Sequence, residues 1–75
     1  MTRNSGFLSV QYAGNMGVIK TRPGYASSIA YNIDNGALTT ILGTIAGDDT
    51  IFIVKKDGVT EEQVLEGLKG IIPNI

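Results

Sequence analysis

The sequence predicts a two-layer α/β fold: a four-stranded antiparallel sheet with two helices on one face, in the order ββαββα. Three observations carry this. Four short runs read as strands: Phe7–Ala13, where apolar and polar residues alternate with period two, and the apolar-rich Met16–Thr21, Thr39–Ala46 and Thr50–Val54. Two other segments, about 23–35 and 60–72, instead place apolar residues at i, i+3, i+4 and i+7. Turn residues separate the runs within each strand pair, so each pair closes as a hairpin.

In the first run Leu8, Val10 and Tyr12 fall on one side and Ser9 and Gln11 on the other. Gly14-Asn15 is a two-residue turn signal, in the less favoured order of the common hairpin dipeptides. Pro23-Gly24 is expected to open the first helix, because proline's missing N–H is not needed in a first turn. Ala26, Ile29, Ala30 and Ile33 form its apolar stripe, and Asn35-Gly36 is its stop signal.

The second strand pair is apolar on both sides. Ile41 and Ile45 are expected on one face and Leu42 and Ala46 on the other, while Ile51 and Ile53 oppose Phe52 and Val54. Asp57-Gly58 ends the pair. Thr60 is the expected N-cap of the second helix, with Gln63 completing a capping box and Glu61 and Glu62 favoured by the helix dipole. Val64, Leu65, Leu68, Ile71 and Ile72 form its buried stripe, and Pro73 is expected to end it. Two helices cover only one sheet face. The other is too apolar to be left in water, which implies a homo-oligomer packed sheet against sheet.

Composition narrows the function. The chain has 75 residues, enough for one small domain, 1–75, that buries little of its surface and gains from association. It contains no Cys and no His, which removes disulfides, thiolate metal sites, the usual general base and the commonest zinc ligand. Six Lys+Arg against seven Asp+Glu leave a net charge of −1, with no basic cluster beyond Lys55-Lys56. Such a chain is not expected to bind nucleic acid by itself. No segment reaches the roughly 18–20 apolar residues of a membrane span, and Met1-Thr2-Arg3-Asn4 holds no apolar signal core. A cytoplasmic protein is expected. No nucleophile–base pair is recognisable, so no enzyme and no catalytic residue is expected; Tyr12, Tyr25 and Tyr31 read as packing residues.

The segment Gly43-Thr44-Ile45-Ala46-Gly47-Asp48-Asp49-Thr50 stands apart. Two carboxylates sit side by side on a tight connection, among small residues that permit close backbone approach, and no Lys or Arg lies between Arg22 and Lys55. One reading is a solvated hairpin turn. A divalent metal would need three or more oxygen ligands, for which Asp48, Asp49 and the Thr50 hydroxyl are weak grounds. The Gly-Asp-Asp hairpin of template-directed polymerases belongs to much longer chains. An aspartic-protease dyad needs Asp-Thr-Gly, and Ile51 follows Asp49-Thr50 here. Phosphate is excluded by sign. A guanidinium or ammonium ligand fits best, since a carboxylate accepts its charge-assisted hydrogen bonds and an interface would shield the pair.

Thr21-x-Pro23-Gly24 at the first helix, Asp34 near its end and the Gly43–Thr50 octet together resemble the C-terminal domain of the bacterial arginine repressor, from about Phe7 to Ile72. The resemblance implies an α/β sandwich that forms trimers by sheet packing. Two trimers stack into a hexamer with L-arginine, the co-repressor, bound between them; no other cofactor and no metal is implied. It also implies an L-arginine-sensing role in repressing arginine-metabolism genes, with operator DNA bound by an N-terminal winged-helix domain that this sequence does not contain. The implied ligand residues are Asp48 and Asp49, at least one of which receives the guanidinium, Asp34 for the α-amino group, Ala46 through its backbone, and Ser27 where some members carry Gln. Tyr31 stands where some members carry Arg, so the intersubunit salt bridge of that Arg is not expected. The rival reading is a purely structural homo-oligomerisation module without a ligand. Titration with arginine, lysine and citrulline separates the two.

Overall fold

The computed structural model describes residues 5–73 and 75. The N-terminal tetrapeptide, read above as lacking a signal core, lies outside them. Six elements follow in the predicted order: β1 (Phe7–Ala13), β2 (Met16–Thr21), α1 (Ala26–Asn35), β3 (Ile41–Ala46), β4 (Thr50–Lys55) and α2 (Glu61–Lys69). The strands form one antiparallel sheet in the order β1-β2-β4-β3, so the two hairpins join through β2 and β4. Ile19, Ile51 and Ile53 from the central strands meet Ala26, Ile29, Ala30 and Ile33 of α1 and Val64 and Leu68 of α2 in one core. Both helices therefore cover the same sheet face.

Both edge strands carry a β-bulge, and each corrects an expected alternation. Phe7 pairs with Thr21 but Ser9 with Lys20, so Leu8 is the extra residue and lies 57% exposed. Phe7, Val10 and Tyr12, rather than Leu8, pack against the core. In β3, Ile41 pairs with Lys55 but Gly43 with Val54, which makes Leu42 the extra residue. Ile41 is buried while Ile45 is 77% exposed, so the two do not share a face as expected. Bulges of this kind twist sheet edges and re-aim their side chains.

The helix ends match expectation only in part. Pro23-Gly24 does not begin α1. Tyr25 N–H donates to the Arg22 carbonyl at 3.1 Å and Gly24 has φ +84°, which together make a type II turn before the helix. At the other end α1 stops at Asn35 with Gly36 as its C-cap, as expected, and the left-handed residue is the next one, Ala37 (φ 54°). A Cβ on Gly36 would stand 2.3 Å from Ile71 Cδ1, so this glycine makes room for packing. Helix α2 starts with the expected capping box: Gln63 N–H donates to Thr60 Oγ1 at 3.1 Å and Thr60 N–H to Gln63 Oε1 at 2.9 Å. It ends at Lys69, before Gly70, and not at Pro73. Ile72 remains in the core and Ile71 packs against it, but Leu65 lies off the stripe beside Tyr12 and Glu61.

Among the described residues, nothing covers the second sheet face of the protomer. Met16, Leu42, Ile45, Phe52 and Val54 are all exposed there and line a shallow depression of about 390 Å³. No helix in the described residues is long and apolar enough to cross a membrane.

Candidate functional site: the acidic turn

Ala46 pairs with Ile51 at the end of the β3–β4 hairpin, and Gly47 N–H donates to the Thr50 carbonyl at 2.8 Å to close it. The turn is not a free tip. Asp49 C=O accepts from Thr21 N–H at 2.8 Å, and Asp48 C=O accepts from Gly24 N–H at 3.0 Å and Ala26 N–H at 3.3 Å. Three backbone bonds therefore tie the acidic residues to the connection between β2 and α1. Tyr25, at the N-cap of α1, offers no side-chain cap. The Asp48 carbonyl instead satisfies an amide that the helix leaves unpaired.

With their carbonyls engaged, both acids present exposed side chains, but the two carboxylates are not equivalent. Thr50 Oγ1 donates to Asp49 Oδ1 at 3.0 Å and accepts from Lys20 Nζ at 2.9 Å. Among the described residues, the Asp48 carboxylate has no hydrogen bond and no ion pair. The sequence shows no cation between Arg22 and Lys55, yet the β2–β4 register sets Lys20 opposite Thr50 and so supplies one. That pairing joins residues thirty positions apart, and no local signal announces it.

Asp34 lies on the last turn of α1 and accepts from Thr44 Oγ1 of β3 at 2.9 Å. It borders a small cavity of about 200 Å³ lined by Ile33, Ala37, Leu38, Ile41, Leu42 and Gly43. Along the helix axis Asp34 is roughly 12 Å from Ala26, and so from the acidic turn, at 1.5 Å per residue. The protomer keeps Asp34 and the Asp48-Asp49 pair at opposite ends of α1. Ser27 is exposed one residue beyond the amide that Asp48 accepts, and Ala46 is half-buried at the foot of the turn. Tyr31 is 67% exposed. No group of three or more carboxylates converges as a metal site would need, among the described residues.

The turn borders the bare sheet face. A depression of about 240 Å³ lined by Ile45, Gly47, Thr50 and Phe52 joins the apolar surface to the base of the acidic loop.

A sequence profile described as "Arginine repressor, C-terminal domain" matches residues 4–70. The chain belongs to the arginine repressor C-terminal domain family. Curated relatives agree. An arginine repressor of Bacteroides thetaiotaomicron is 60% identical over 75 residues, all of this chain and 48% of the relative. One from Bacteroides fragilis is 61% identical over the same span, and one from Thermotoga maritima 48% identical over 64 residues, 85% of this chain and 42% of the relative. The chain spans about half the length of the curated relatives it matches.

Proposed function

We propose that this domain senses L-arginine and couples its binding to self-association, as part of a repressor of arginine metabolism. The observation that carries the reading is the position of Asp48: an exposed, uncommitted carboxylate on a backbone-locked turn, at the margin of an uncovered apolar sheet face. The relatives' name supplies the ligand, and the chemistry agrees with it. A guanidinium fork meets a carboxylate through charge-assisted bonds. In this reading the bare faces pack into a trimer, and two trimers stack so that acidic turns face one another. Asp48 and Asp49 take the guanidinium, with Ala46 and Ser27 alongside. Asp34, at the far end of α1, takes the α-amino group of a ligand shared between protomers. Without ligand, converging turns repel; arginine places cations between them and favours the hexamer by mass action. Operator DNA is contacted by another domain of the full repressor, in the cytoplasm.

Sedimentation velocity with and without millimolar L-arginine tests the linkage. The hexamer fraction and the melting temperature are expected to rise together, and unchanged distributions would refute it. By calorimetry, Asp48→Asn is expected to weaken arginine more than Ser27→Ala, and the reverse order would undo the residue assignment. The apolar face by itself also suits a purely structural module. That reading prevails if arginine, lysine and citrulline all leave the assembly unmoved.

A further inference from the structure

We propose that Lys20 is a positioning residue of the acidic turn: through the Thr50 hydroxyl it orients Asp49 before any ligand arrives, leaving Asp48 to meet the incoming guanidinium. This deepens the arginine-sensing reading and rests on it.

The geometry has a fixed polarity. An ammonium only donates, an ionised carboxylate only accepts, and a hydroxyl carries one proton to give. Lys20 Nζ fills the acceptor side of Thr50 Oγ1 at 2.9 Å, so the threonine proton is directed to Asp49 Oδ1 at 3.0 Å. Reversal is not open to the chain of bonds, because neither end can exchange roles. Each bond polarises the next. The sheet register puts the donor in place: Lys20 faces Thr50 on β4 and Ser9 on β1, so its neighbour on the edge strand is a small side chain.

Two consequences follow for ligand binding. Adjacent carboxylates repel, and a cation reached through one hydroxyl offsets part of that repulsion. An oriented Asp49 also need not be ordered when the ligand arrives, which lowers the entropic cost of binding. Both partners of the relay lie at the surface, so its loss should register in ligand affinity far more than in folding.

The test uses the 75-residue chain and calorimetric titration with L-arginine. Lys20→Met and Thr50→Val are each expected to weaken binding about tenfold, the size of one charge-assisted hydrogen bond. The double variant should be no weaker than either single, since both break one chain of bonds. Lys20→Arg should stay within about twofold of wild type, because the donor is retained. Ligand-free melting should be the same in all four. Additive losses, unchanged affinity in Lys20→Met, or tighter binding in Lys20→Met would each overturn the proposal, the last by showing that Lys20 competes with the ligand. If the wild type itself takes up no arginine, the sensing reading fails, and the relay is read separately in ligand-free protein by NMR. Lys20 Nζ–H exchange should be slower than that of exposed Lys56 and should accelerate in Thr50→Val; equal exchange at the two lysines would overturn the relay.

Discussion

The carbonyl oxygen of Asp48 accepts the amide of Ala26, the first residue of α1, at 3.3 Å. The same oxygen accepts from Gly24. The acidic turn is therefore the cap of the first helix, and a ligand that pulls on Asp48 pulls on α1. This explains how a helix that begins with Tyr25-Ala26 manages without a Ser, Thr or Asp cap.

Gly24 makes that junction possible, because its φ of +84° disfavours any residue with a Cβ, although open space surrounds the position. Gly24→Ala is expected to cost about 1–2 kcal/mol from backbone strain alone. Gly24→Asn should cost less, since Asn tolerates the left-handed region better. Urea unfolding of the two variants checks the order; equal stability of Gly24→Ala and wild type would refute the role.

Gly17 is constrained by packing instead. A Cβ there would lie 2.6 Å from Ile53 Cγ1 and 3.1 Å from Tyr12 Cε1, and Ile53 is fully buried with nowhere to retreat. Gly17→Ala is expected to destabilise by about 1–3 kcal/mol through overpacking. Ile53→Val removes Cδ1, which would stand 2.9 Å from the new Cβ, and so should recover part of that loss, leaving the double variant short of the additive sum. Thermal melts of the four-member cycle decide it.

Tyr12 carries a buried hydroxyl with no hydrogen-bond partner among the described residues. Burial, and then the nearby charge of Glu61, push its phenol above the usual tyrosine value. The unfolded chain thus releases this proton first as pH rises. Stability is held below about pH 10 and declines above it. Tyr12→Phe should be neutral, or stabilising by about 1 kcal/mol, near pH 7, because it removes an unpaired polar group. It should also flatten the alkaline decline. Urea midpoints at about pH 8 and about pH 10.5 test both, and a steeper alkaline loss in the variant would contradict the sign.

The bare sheet face separates association from folding. Ile45 is 77% exposed, so Ile45→Asp should change protomer stability by no more than about 0.5 kcal/mol while lowering the sedimentation coefficient. Phe52→Asp, at a half-exposed position directly across the β3–β4 ladder, should do the same. Oligomers that persist in both variants would place the interface elsewhere.

How much of this was legible in the sequence follows from the range of the forces involved. Period-two and helical patterns, the Gly14-Asn15 turn and the Thr60–Gln63 box are interactions between residues at most a few positions apart, and they announced six elements in the correct order. The bare face was legible as well, because Phe52 and Val54 alternate with Ile51 and Ile53. The acidic pair stood out by composition. The alternation rule, however, assumes an unbroken ladder. Bulges at Leu8 and Leu42 break it on both edges, and a bulge answers to the neighbouring strand and the helices above it. Gly36 was legible as a helix stop and does cap α1, but the room it leaves for Ile71, thirty-five residues further along, was not.

The chain by itself determined the elements, the excess of apolar surface over what two helices can cover, and the presence of two adjacent negative charges on one turn. Only the tertiary structure decided which carboxylate is free. That depends on β2 lying against β4, which sets Lys20 across from Thr50, and on the Asp48 carbonyl meeting Gly24 and Ala26. Hydrogen bonds between distant segments require a three-dimensional register, and no spacing along the chain encodes one.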